Sequence, residues 1–119
     1  MLEYNGFEVA EALKNRPGVA AINPDRILEV SGMNQKNYRG QEMTVIMFMI
    51  GHLEIDTNRI VDDNGNPITE NDIYQDLSKY KKISVKSISK AINNLVERDA
   101  IRYYNESWHL NPDIAFRES

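Results

Sequence analysis

Residues 41–53 constrain this chain more than any other stretch. Met43, Ile46, Met47, Ile50 and Leu53 recur at the spacing of one helix face, and Val45, Phe48 and Met49 carry the apolar surface most of the way around the rod. A helix apolar on nearly every side has to be covered on several of them. It is therefore either the centre of a domain or a contact between subunits. A chain of 119 residues holds enough material for one such core, not two. Its longest apolar run, residues 45–50, is far too short to cross a membrane.

The remaining composition narrows the class further. Apolar residues make up 41% and charged residues 27%, the proportions of a folded domain rather than a disordered chain. There is no cysteine, which excludes a disulfide framework, a thiolate zinc site and a cysteine nucleophile. Residues 1–6 have neither the basic region nor the apolar stretch of a secretory signal. A cytoplasmic protein with no membrane association is expected.

Two parts follow from the pattern: residues 1–40 as a helical extension, and residues 41–119 as the main domain. In the extension, residues 7–15 read as a short helix stopped near Pro17-Gly18, and Asn23-Pro24-Asp25 opens another that Ser31-Gly32 ends. In the main domain, Asn64-Gly65 between short β-branched runs marks a hairpin turn. Asp62, Asp63 and Asn64 lack both the alternation and the following Glu of a calcium loop.

The functional signal lies further on. Thr69 is placed to cap a helix over residues 70–80, supported by Asp72, with Ile73, Leu77 and Tyr80 on its inner face. After the turn Lys81-Lys82-Ile83, Ser84 caps a second helix whose inner face is Ile88, Ile92 and Leu95, flanked by Ala91 and Val96. That spacing is a helix-turn-helix. The outer face reads Val85, Lys86, Ser87, Ser89, Lys90, Asn93 and Asn94, the hydroxyls, amides and lysines that reach base edges and phosphates. Its first turn contains no acid, although acids favour a helix N-terminus.

Charge follows the same map. Residues 79–102 hold seven of the fourteen basic residues and two of the eighteen acidic ones, a net of +5, which leaves the rest of the chain at −9. After Asp99-Ala100, residues 101–104 alternate like a strand, Asn105-Glu106-Ser107 turns, and residues 108–111 return. Ile60-Val61 or Ile68-Thr69 can add a third strand. The expected fold is mainly α with a small antiparallel β-wing, a winged helix-turn-helix. Glu106 at the wing tip would repel phosphate, so the wing is expected to add little. The candidate DNA-binding residues are Lys82, Ser84, Val85, Lys86, Ser87, Ser89, Lys90, Asn93, Asn94 and Arg102.

The segment Ile83-Ser84-Val85-Lys86-Ser87-Ile88-Ser89-Lys90-Ala91-Ile92-Asn93-Asn94-Leu95 looks like the recognition helix of bacterial winged-helix proteins. The ending Trp108-His109-Leu110-Asn111-Pro112-Asp113-Ile114-Ala115-Phe116-Arg117 resembles that of Firmicute plasmid replication proteins of the RepL type and related phage proteins. The resemblance covers about residues 41–117. It implies a double-stranded DNA-binding protein of a plasmid or phage, acting in replication initiation or transcription control.

Catalytic patterns are not found. His52 and His109 are the only histidines, with no third ligand at metal spacing, and there is no phosphate loop or nucleophile elbow. Trp108, Tyr103 and Tyr104 stand at strand positions where packing explains them better than base stacking. No enzyme, metal or cofactor is expected. A second reading keeps the fold as a small acidic phage-type protein that inhibits a host nucleic-acid-processing protein, which the −9 remainder would suit. Residues 7–15 and 41–53 could also pair two copies as a homodimer, or cover each other within a monomer.

Overall fold

A computed structural model describes residues 22–36, 38 and 40–117, the Tyr80 side chain excepted. The helix expected over residues 7–15 lies outside the described residues, as does most of the 1–40 extension.

Three of the four described helices begin at a short polar side chain that caps them. Asn23 accepts from the Arg26 amide and opens α1 (Pro24–Ser31), which Gly32 closes in the left-handed region at φ 78°. Helix α2 (Glu42–Gly51) is shorter at both ends than the expected 41–53. Gln41 makes no capping bond and Leu53 has left the helix to bridge Ile60. Thr69 and Asp72 complete a reciprocal capping box on α3 (Glu70–Lys81). Ser84 accepts from the Ser87 amide to start α4 (Val85–Glu97).

Strands β1 (Ile101–Tyr104) and β2 (Ser107–Leu110) pair antiparallel, Ile101 opposite Leu110 and Tyr104 opposite Ser107. Asn105 and Glu106 turn between them, both at positive φ, the backbone of a type I′ hairpin. Residues 58–60 lie along the other edge of β2: the Ile60 amide donates to the Trp108 carbonyl, and the Leu110 amide to that of Asn58. The neighbour expected from Ile60-Val61 or Ile68-Thr69 is thus residues 58–60, joined by a single bridge, Arg59 to His109, rather than a full strand. The Asn64-Gly65 turn is closed by one bridge, Val61 to Pro67, with Asp62 accepting from the amides of Asn64 and Asn66.

Helix α2 sits at the centre. Val45, Ile46, Met49 and Ile50 are buried, and Met43, Met47 and Phe48 pack half-buried around them. Helix α4 faces α2 with Ile88, Ala91, Ile92 and Leu95, and α3 contributes Ile73 and Leu77. Val96 does not flank this face as expected; it is 45% exposed. Ile88, Ala91, Ile92 and Leu95 already complete the inner stripe at 3.6-residue spacing, and Val96 falls about a quarter turn from its centre.

The chain's ending locks onto this core. Asn58 is buried, and its amide donates to the carbonyls of Leu110 and Ala115 at 3.0 and 2.8 Å. Asn111 donates to the Asp99 carbonyl, Ile114 is fully buried, and Arg117 donates to the Leu53 carbonyl at the end of α2. Among the described residues, no helix is long and apolar enough to cross a membrane.

Candidate nucleic-acid interface

The joint between α3 and α4 is three residues long. It turns because Lys82 takes the left-handed conformation at φ 56°, with its amide returned to the Leu77 carbonyl. Ser84 then closes the N-terminus of α4. Its hydroxyl accepts the Ser87 amide and donates to the Ser87 hydroxyl at 2.9 Å. The two hydroxyls therefore form one local unit at the tip of the helix.

From that tip the outer face runs exposed along α4. Val85 is 51% exposed, Lys86, Ser87, Lys90 and Asn93 are exposed, and Ser89 is half-buried. The first turn contains no acid, and Lys81 and Lys82 precede it in open solvent. The positive end of the helix dipole and four lysines therefore act in the same direction there. Among the described residues, no carboxylate stands within ion-pair distance of Lys82, Lys86 or Lys90.

Besides Ser84 and Ser87, two more of the expected contact residues are engaged by other side chains of the protein. Asn94 is half-buried, and its amide donates to Glu42 Oε1 at 2.8 Å, joining α4 to the start of α2. Arg102 forms a bidentate pair with Asp99 at 2.6 and 2.8 Å, which holds the Asp99 carboxyl below its ordinary range. Neither side chain is as available to a ligand as the spacing implied.

Glu42 itself was not visible as a site residue. It is 4% exposed, accepts from Asn94 and from the Tyr38 hydroxyl, and lies 3.9 Å from Arg98. Burial and the adjacent Glu42 carboxylate both raise the Tyr38 phenol. Arg98 also donates to the Val30 carbonyl at 2.8 Å, so one cluster ties α1, α2 and α4 together. The available signal is slight: a lone acid at the head of an apolar helix, and an Asn and an Arg one helical turn apart. Beside this cluster a groove of about 360 Å³ opens between α4 and Gly32, Gln35, Lys36, Tyr38, Gly40 and Gln41.

On the β1–β2 hairpin, Tyr103 packs edge-on against Trp108 and Tyr104 stacks on His109 at 3.8 Å between centroids, so these rings pack on one another. Tyr103 and Tyr104 nonetheless remain about half exposed. Glu106 stands exposed at the hairpin tip. Among the described residues, no group of three histidine or acidic side chains is placed to hold a metal. Comparison with known protein families, curated proteins and solved structures finds no match.

Proposed function

We propose that this protein is a sequence-specific double-stranded DNA-binding protein that reads the major groove with α4. The observation that carries the reading is the exposed, acid-free outer face of a capped helix following a three-residue turn. At about 20 Å, α4 is long enough to lie along a major groove roughly 12 Å wide. Lys82, Lys86 and Lys90 supply phosphate contacts. Val85, Ser87 and Asn93 reach base edges, Val85 offering a methyl-sized apolar contact to thymine. With Asn94 and Arg102 held by Glu42 and Asp99, they position α4 and the hairpin rather than read bases.

The order of elements supports a winged helix as the finer description. Helix α2, the 58–60 segment, α3, α4 and the β1–β2 hairpin follow one another, with 58–60 on the outer edge of β2. The resemblance of residues 108–117 to RepL-type proteins favours a plasmid or phage setting, in replication initiation or transcription control. No catalytic step enters this reading.

Selection from a random duplex pool, followed by titration at several salt concentrations, tests it. A defined sequence should emerge, and its affinity should fall with a log–log slope of roughly 0.9 per phosphate contact. Ser87→Ala or Asn93→Ala should change base preference, at about 1–3 kcal/mol for a good contact. A pool that yields no bound duplex at low salt overturns the reading and favours the acidic inhibitor, which the −9 charge outside residues 79–102 would suit.

A further inference from the structure

We infer that the groove between α4 and the segment bearing Gln35 and Lys36 is a phosphate subsite for the same duplex, which makes Gln35 and Lys36 a second DNA-contacting element. The inference rests on the DNA-binding reading above. The groove is lined by Ser87, Lys90 and Ala91 of α4, by Arg98 at the end of α4, and by Gln35 and Lys36 from the segment after α1. Ser87 and Lys90 belong to the outer face of α4, so the groove begins where the proposed major-groove contact ends.

The charges favour an anion. Among the described residues, Lys36, Lys90 and Arg98 line the groove against one carboxylate, Glu42, a net of +2. Glu42 is already occupied, one oxygen by the Asn94 amide and the other by the Tyr38 hydroxyl. Arg98 uses Nη1 on the Val30 carbonyl, while among the described residues its Nε and Nη2 make no hydrogen bond, leaving a two-donor edge that matches a phosphate. Gly32 passes against this guanidinium, where an added Cβ would stand 3.3 Å from Nη1. The close approach and the Val30 bond fix Arg98 in place before a ligand arrives. Lys36 is exposed, lines the groove and sits on a segment separate from α4, so its phosphate contact would be additional to those of α4.

Lys36→Ala and Lys36→Arg, titrated with the selected duplex across salt concentrations, test the subsite. Phosphate-ethylation interference provides a second readout. Lys36→Ala should weaken binding to every duplex equally, lower the log–log salt slope by about one, and abolish interference at one flanking phosphate. Lys36→Arg should restore the slope. An unchanged slope and ethylation pattern in Lys36→Ala, beside a lowered slope in Lys86→Ala, overturns the subsite and leaves the α4 reading standing. If the unmodified protein binds no duplex, both fall.

Discussion

Replacing Glu42 and Asn94 singly and together measures the joint that holds α4 on the body of the protein. The bond between them is 2.8 Å long and charge-assisted, a class that contributes about 1.5–3 kcal/mol net. At 3.9 Å, Arg98 attracts the same carboxylate by about 4 kcal/mol at an effective dielectric of 20. Burying Glu42 to 4% exposure costs several kcal/mol, so this attraction and the desolvation roughly cancel. The hydrogen bonds then decide the outcome. Glu42→Ala should cost about 2–3 kcal/mol, because Asn94 and the Tyr38 hydroxyl lose their acceptor. Glu42→Gln should cost about 1 kcal/mol, since an amide oxygen still accepts from Asn94 but without the charge. Urea denaturation reads these values directly, and with a slope of about 2 kcal/mol per molar the Glu42→Ala midpoint should fall by roughly 1 M. In the Glu42→Ala and Asn94→Ala cycle the coupling should be about 1.5–3 kcal/mol. A coupling below about 0.5 kcal/mol, the ordinary scatter of additivity, would refute the assignment. A Glu42→Ala protein more stable than the parent would show instead that desolvation outweighs the whole cluster.

Acid should weaken the protein in two separate windows. The Arg59 guanidinium, with two bonds to Glu54 at 2.8 and 2.9 Å, holds the Glu54 carboxyl down at about 2 against an ordinary 4.5. A depressed carboxyl stabilises the fold above its unfolded value, and that contribution disappears as pH falls from about 4.5 through about 2. The pair is a quarter to a third exposed, so screening reduces its worth to about 1 kcal/mol. Glu54→Gln should therefore lose about 1 kcal/mol at pH 7 and almost nothing near pH 2; equal losses at both would contradict the pairing. Burial on β2 lowers the His109 imidazole below 6.5, reinforced by the nearby Arg59 cation and opposed by Glu54 and by the Ser107 carbonyl. Arg102 lies opposite it on β1, and Tyr104 stacks on its ring. His109 is neutral in the fold, so stability should decline as pH drops below 6.5, and His109→Gln should flatten that decline. A proton NMR titration placing the His109 midpoint at or above 6.5 would remove the basis for this expectation.

The features legible in the sequence are those encoded within a turn or two of chain. Asn23 before Pro24, Thr69 with Asp72, Ser84 with Ser87 and Gly32 at the end of α1 each act over two to four residues, and each stands at the boundary its chemistry demands. The stripe Ile88, Ala91, Ile92 and Leu95 was readable for the same reason, because a helix repeats on itself. Val96 shows where periodicity loses resolution: a residue at the margin of a stripe is buried or exposed according to a neighbour the pattern does not name.

Long-range polar contacts carry no such local mark. Glu42 and Asn94 are 52 positions apart, and Asn58 reaches carbonyls 52 and 57 positions away. Nothing adjacent to Asn58 announces that its amide will be buried at 2% exposure between β2 and the chain's ending. The ending itself illustrates the difference between a recognisable pattern and its physical role. In this fold Asn111 closes onto Asp99, Ile114 fills the core, and Arg117 holds the Leu53 carbonyl, so the motif fastens the C-terminal segment to α2 and to the end of α4. A motif that performs this fastening can recur wherever the same small domain needs its last residues secured. The proposal of DNA binding therefore rests on the separate, exposed chemistry of α4 rather than on the resemblance in residues 108–117.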